Sequence, residues 1–357
     1  MTIFYVILLL VYIFSLLARY TCNKKSKRAS MFFMIIVTLI LVLVSGLRTN
    51  VGDTEMYVYS YELIGPGYES NGAYEPGFVL LLKLLKQISD NPQFMLMITS
   101  LIINVCIIFT LWRYSDKYYF EIATFLYIAS GYILVTMNGI RQCLAAALIF
   151  ACTPILLKRK TKLYIFIIIL ACMFHSSAFI MIPIYFISQI RPWSKEAFFL
   201  VLLTIIAMFL YQPLMEIASV VLGGKIAEYS TSTEGGASLI RVAIYFVPVI
   251  LSYLKREELS KGWDKINIFT NITLISSLVM LFSSINWVFA RFSLYLEPYT
   301  FILLAYMIKN CFKGSEKRVI YYFMILCYTL FFFIECPTNL NNIPYKTNFN
   351  LTEFLYY

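Results

Sequence analysis

The chain is short of charge. Of its 357 residues only 13% are Asp, Glu, Lys or Arg, while 61% are hydrophobic. A soluble domain has roughly a quarter of its residues charged, so a water-soluble fold is excluded. Histidine occurs once, as His175, and none of the eight cysteines falls in a CxxC pair. There is no HExxH, so neither of these metal-site spacings is present. GxxxxGK[ST], GxGxxG and DxD are missing as well, which removes the usual nucleotide and sugar-nucleotide sites. Most cysteines, among them Cys106, Cys143 and Cys172, lie in apolar runs and read as small apolar residues. Cys336 is the one expected outside a run, without a partner.

What the sequence does have is apolar length. About 20 apolar residues cross a bilayer as a helix. Spans are predicted near 2–18, 31–47, 92–112, 119–136, 139–157, 196–222, 237–254, 267–284, 292–310 and 319–335. Residues 163–190 are too long for one simple crossing, and His175 sits at their middle, so two short helices are expected to meet there. Residues 76–89, with Phe78-Val-Leu-Leu-Leu-Lys-Leu-Leu-Lys, suit a short amphipathic helix resting on the membrane surface. The fold class is therefore all-α: a polytopic transmembrane bundle of about 12 crossing or half-crossing helices plus that interfacial helix. Residues 1–357 read as a single integral membrane domain, with 48–91 its largest outer loop. The mid-span regions read as almost pure Leu, Ile, Val and Phe.

Basic residues set the orientation. They gather in alternate loops: Arg19, Lys24, Lys25, Lys27 and Arg28; Arg113 and Lys117; Lys158 to Lys162; Arg191 and Lys195; Lys255 to Lys265; Lys309 to Arg318. The positive-inside rule makes these loops cytoplasmic and puts both termini outside. The net charge of +10 is thus a mark of topology, and no nucleic-acid partner is expected. The first run has no basic residues before it and no small-residue cleavage site after it, which reads as a retained helix. Each cytoplasmic loop is too short for a nucleotide-binding domain, so any reaction must draw on a substrate already activated in the membrane.

Four arginines break the charge rule at the outer ends of spans: Arg48, Arg141, Arg241 and Arg291. Each either snorkels to lipid phosphate or serves an anion site, and the second reading is favoured for Arg48, Arg141 and Arg291. Arg141 is expected in the first turn of a helix capped by Asn138, with Asn138, Arg141 and Gln142 on one face. A guanidinium beside the free amides of a helix start suits phosphate. The loop from Arg48 to Glu75 has Asp53, Glu55, Glu62, Glu69 and Glu75 with Tyr57, Tyr59, Tyr61, Tyr68 and Tyr74 and no lysine. Carboxylates with aromatic faces suit sugar binding, although the same tyrosines also suit an interfacial aromatic belt. His175 reads equally as a general base or as a packing residue that ends a helix, and the Ser176–Ser177 pair fits both.

These residues resemble the EpsG-like, Wzy-type bacterial polysaccharide polymerases. The resemblance rests on Arg48-Thr-Asn-Val-Gly52-Asp53 followed by Tyr57; Tyr74-Glu75-Pro-Gly77-Phe78; Asn138-Gly-Ile-Arg141-Gln142 followed by Ala145; His175-Ser-Ser before Pro183; Arg291 with Tyr295; and Asn-Asn-Ile-Pro344-Tyr345. Gly52 and Asp53 are adjacent where the family pattern has one residue between them. The resemblance implies a multi-pass protein of the bacterial cytoplasmic membrane. It would transfer a growing glycan from polyprenyl pyrophosphate to a lipid-linked repeat unit at the outer face, without a cofactor. Its partners would be lipid-linked oligosaccharide, membrane lipid, a chain-length regulator and a flippase. Arg48, Arg141 and Arg291, with Asn138 and Gln142, would hold pyrophosphate. His175, Asp53 or Glu75 would take the acceptor proton, and Tyr57, Tyr74, Trp287 and Tyr295 would contact sugar. Another lipid-linked glycosyltransferase or ligase, a flippase and an acyltransferase remain as rivals.

Overall fold

Every regular element among the described residues is a helix, as a chain this apolar requires where backbone groups must be satisfied internally. The computed structural model describes residues 2–22, 28–65, 74–115, 119–213, 216, 236–340 and 344–347. Lys24, Lys25, Lys27, Tyr68, Glu69, Lys117, residues 214–215 and 217–222 of the sixth expected span, and residues 341–343 lie outside them. The chain divides into two compact units, Met1–Ile182 with Leu304–Tyr357, and Pro183–Leu303.

In the first unit, α1 (Thr2–Tyr20) packs on α2 (Met31–Gly46) and α6 (Phe120–Ala129). The long α5 (Pro92–Ser115) lies against α2 and α8 (Ile140–Ala151). Helix α1 shows the pattern of a lipid-facing helix. Phe4, Ile7, Leu8, Val11, Ser15 and Ala18 turn inward at three- and four-residue spacing, while Val6, Leu9, Leu10, Ile13 and Leu17 face outward and are no less apolar. Further helices of the unit are α3 (Thr54–Leu63), α4 (Pro76–Lys86), α7 (Tyr132–Asn138), α9 (Thr153–Leu157) and α10 (Thr161–Cys172). Helix α11 (Met181–Ser188) runs across the boundary between the units.

The second unit holds α12 (Lys195–Phe209), α13 (Leu239–Leu254), α14 (Arg256–Ser260), α15 (Ile266–Phe282) and α16 (Ala290–Ser293). Its small core joins Ala197, Val249, Leu274 and Leu278 from α12, α13 and α15. The amide of Asn271 on α15 donates to the carbonyls of Ser188 and Ile190 and fixes the end of α11 (3.1 and 2.7 Å). Two further helices complete the chain: α17 (Glu297–Asn310), which crosses the boundary, and α18 (Gly314–Asn339).

Three described helices are long and apolar enough to span a bilayer alone: α1, α5 and Gly314–Thr338 of α18. Two bent pairs bring the number to five if each is one span: Phe120–Ala129 with Tyr132–Asn138, bent by 56°, and Trp287–Ser293 with Glu297–Asn310, bent by 57°. Gly131, at φ 83°, supplies the left-handed residue that breaks the first pair. The expected single helices near 119–136 and 139–157 are each divided, the second where Cys152 ends α8 ahead of Pro154. Six shorter apolar helices of 10–17 residues accompany them, among them Met31–Gly46 and Ile266–Phe282. The break expected within 163–190 is present, with His175 in extended backbone between α10 and a 3-10 turn over Ser176–Ile180. Cys336, expected outside the spans, lies buried inside α18, whose apolar candidate span runs over Gly314–Thr338.

The interior is also less uniformly apolar than the spans read. Ser45, Ser100, Asn104, Thr124, Glu121 and Tyr127 are all buried in the first unit. Asn104 donates to Ser45 Oγ (3.0 Å) and accepts from the Tyr127 hydroxyl (2.9 Å). Thr124 donates to Ser15 (2.8 Å), and Glu121 pairs with Arg19 at the far end of α1. Buried polar groups need partners, and these find them in one another.

Candidate functional site

Four stretches that are distant in sequence meet at one end of the first unit, and Arg141 is their common point. It stands in the first turn of α8, where its charge opposes the helix dipole. Glu75 compensates: Arg141 Nη1 donates to Glu75 Oε2 at 2.6 Å. The guanidinium also lies over the Tyr74 ring, 4.6 Å from its centre, and it and the Arg141 amide both engage the Tyr57 hydroxyl. Tyr57 stacks beside Tyr74, and Phe78 closes edge-on against both.

Glu75 holds a second element. Its Oε1 accepts from the Ser176 amide at 3.0 Å, which ties the start of α4 to the turn after His175. Gly77 makes that approach possible. Its amide donates to the Met173 carbonyl at 2.8 Å, and a Cβ there would lie 2.7 Å from the Met173 Cβ. His175 in turn caps its own turn: Nδ1 accepts from the Ser177 amide (3.2 Å) and lies 2.7 Å from Ser177 Oγ, which accepts from Gln142 Nε2 (3.1 Å). An Nδ1 that accepts from an amide places the proton of the neutral ring on Nε2. Arg141 and Gln142, adjacent on α8, therefore bind the Glu75 and His175 segments respectively.

Partial burial works to raise the Glu75 carboxyl, but the Ser176 amide, Arg141 and His175 outweigh it and hold it below the usual carboxylate range. A depressed folded-state value means that the stabilisation is complete above the ordinary carboxylate range and is lost as pH falls through the depressed value. A Glu75→Gln protein should therefore show a flatter acid limb in thermal unfolding followed between about pH 3 and 6. An acid limb identical to wild type would mean that Glu75 carries no such linkage.

Asn138 corrects an expectation. It ends α7 and caps nothing; the N-cap of α8 is Gly139, with no side-chain bond. Asn138 Oδ1 instead accepts from the Asp53 amide at 2.9 Å. Gly52, at φ 55°, lets the chain pass so closely that a Cβ would sit on the Asn138 amide. Asp53 is thereby fixed through its backbone, with its side chain exposed and no ion pair among the described residues.

Arg48 is enclosed by the protein. It is only 1% exposed, and its donors go to the Ser45 carbonyl, Thr54 Oγ1 (3.0 Å) and Ser100 Oγ (3.4 Å). Burial pushes its guanidinium down to about 10. The segment Pro344–Thr347 is laced onto the same loop. Asn50 donates to the Pro344 carbonyl and accepts from the Lys346 amide (2.8 Å each), Thr49 donates to the Lys346 carbonyl (3.0 Å), and Tyr345 reaches the Val44 carbonyl (2.9 Å). Sequence reasoning had no role for Asn50, Ser100 or Lys346. The signal available was Ser100 and Asn104 spaced by four on an otherwise apolar helix.

Of the four aromatic residues expected to contact sugar, Tyr57 and Tyr295 are buried, at 3% and 1% exposure, and offer no open face. Tyr74 is half-buried beneath Arg141. Arg291, Trp287 and Tyr295 belong to the second unit. There the exposed Arg291 lies over the Trp287 ring at 4.6 Å, after a 3-10 turn capped by Asn286, whose Oδ1 accepts from the Val288 amide (3.0 Å).

An all-helical bundle with membrane-spanning helices, and charged and polar side chains gathered at the end of one unit, defines a multi-pass membrane protein. The chain belongs to the EpsG family, whose model matches residues 31–347. No curated protein and no solved structure matches it. Membership makes it a membrane protein of polysaccharide biosynthesis.

Proposed function

We propose that the chain is a polysaccharide polymerase of the bacterial cytoplasmic membrane, moving a growing glycan from polyprenyl pyrophosphate onto a lipid-linked repeat unit at the outer face. The observation that carries the reading is Arg141, fixed by Glu75, Tyr57 and Tyr74 in the first turn of α8. A guanidinium held in place by its neighbours suits a pyrophosphate that gains charge as it leaves. In the proposed step the acceptor hydroxyl oxygen attacks the anomeric carbon. The bond from that carbon to the pyrophosphate oxygen breaks, and the electron pair leaves with the lipid pyrophosphate.

The three candidate bases differ in their surroundings. Glu75 is engaged by Arg141 and Ser176, which makes it a weak base and a positioning residue. His175 Nδ1 is engaged by Ser177, so the ring serves best as an Nε2–H donor to a phosphate oxygen. Asp53 is exposed and held by its backbone, and we assign it the acceptor proton.

The test is the purified full-length protein in lipid vesicles with polyprenyl-pyrophosphate-linked repeat units and no nucleotide. A ladder spaced by one repeat is expected, and an Asp53→Asn protein should lose about a hundredfold or more in rate with little change in substrate binding. A full ladder from Asp53→Asn would remove Asp53 from the reaction. Absence of any ladder, with the substrate becoming protected from an added glycosidase, would point to transport across the bilayer, the reading that the buried polar residues of the first unit favour.

A further inference from the structure

The second unit carries a cavity unrelated to the cluster around Arg141. It lies among the turn after α11, the start of α12, Tyr253 of α13, α14, and Asn267 and Thr270 of α15, and its volume is about 560 Å³. Arg191, Lys195 and Arg256 line it against a single carboxylate, Glu257. Neither Arg191 nor Lys195 has an ion-pair partner among the described residues. Three aromatic side chains, Trp193, Phe198 and Tyr253, complete the wall: Trp193 meets Tyr253 edge-on at 5.2 Å, and Arg256 lies over the Tyr253 ring at 4.6 Å.

This is a built turn. Asn271 holds the Ser188 and Ile190 carbonyls ahead of it, and Ser194 caps α12 behind it. Between them Trp193 sits at φ 60°, a left-handed conformation that a bulky side chain rarely adopts, and its ring packs on the core of the unit. Arg191, Trp193 and Lys195 all line the cavity from this turn.

A second, largely apolar groove of about 500 Å³ adjoins it, lined by Ile187, Ile190, Phe199 and Leu200 together with Glu196. Lys195 lines both. A soluble phosphate or nucleotide would need only the first of these spaces. A molecule with an anionic head and an acyl chain fits both, with Lys195 at the junction.

We propose that this pair of cavities binds an anionic phospholipid, its headgroup phosphate among Arg191, Lys195 and Arg256 and an acyl chain along Phe199 and Leu200. Basic pockets between membrane helices recognise such headgroups, and each Lys or Arg near an anionic lipid surface contributes about fivefold in affinity. The proposal is independent of the reaction at Arg141.

The test is native mass spectrometry of the delipidated full-length protein given phosphatidylglycerol or phosphatidylcholine with identical acyl chains. Preferential retention of one phosphatidylglycerol is expected. Retention should weaken about fivefold in each of Arg191→Gln, Lys195→Gln and Arg256→Gln, and about a hundredfold in the triple variant, with Lys195→Arg restoring it. Equal retention of the two lipids, or undiminished phosphatidylglycerol on the single variants, would overturn the site. Displacement by millimolar inorganic phosphate would assign the cavity to a free anion and overturn the lipid. The single variants keep the test decisive if the triple variant does not fold.

Discussion

An Arg141→Ala protein is expected to be made and inserted at wild-type levels and to form no polymer. The first half follows from the site's position. Arg141 and Glu75 are both partly open to solvent, with side-chain exposures of 20% and 19%, and ion pairs in such settings contribute no more than about 1 kcal/mol to stability. The second half follows from the chemistry assigned to it. Removing one preorganised donor from a developing anion costs on the order of a hundred- to a thousandfold in rate. Arg141→Lys should be impaired as well, since an ammonium cannot reach Glu75, Tyr57 and a phosphate from one planar fork. The ladder assay measures the rate and fluorescence-detected gel filtration the level. Normal polymer from Arg141→Ala would sink the assignment.

For Arg48→Ala the expected result is the reverse: little folded protein, and activity lost in proportion to it. Its guanidinium is buried with three acceptors around it, and hydrogen bonds to a charged group contribute roughly 1.5–3 kcal/mol each. A loss of about 3 kcal/mol or more lowers the melting midpoint by about 5 °C or more. Arg48→Lys should fall between the two, because one ammonium cannot serve the Ser45 carbonyl, Thr54 and Ser100 together. Well-folded Arg48→Ala protein that makes no polymer would return Arg48 to the substrate. The two arginines thus look alike in sequence, each polar, each at the end of an apolar run, and differ in what surrounds them.

That difference marks where sequence reading stops. Hydropathy located the helices because twenty apolar residues have few other options in lipid. It could not find the 56° bend at Gly131 or the division at Cys152, since a glycine or a Pro154 in an apolar run is compatible with a straight helix. Arg141 at a helix start was legible from Asn138-Gly-Ile-Arg, yet the partner of Asn138 was not, because the Asp53 amide lies 85 residues away. The pairing of Glu75 with Arg141, 66 residues apart, was hidden for the same reason. Burial was the other blind spot: Tyr57 and Tyr295 read as platforms by residue type, and only packing shows their faces covered.

The lacing of Pro344–Thr347 onto the Arg48 loop has a consequence in time. Its bonds join residues 294 to 301 positions apart. A ribosome adding 5–20 residues per second needs roughly 15–60 s to cover that distance. Throughout that interval the nascent chain has its Arg48 loop without the segment that will lace onto it. The bonds of this lacing therefore form only once Pro344–Thr347 has been made, and a chain released before Pro344 would lack all of them.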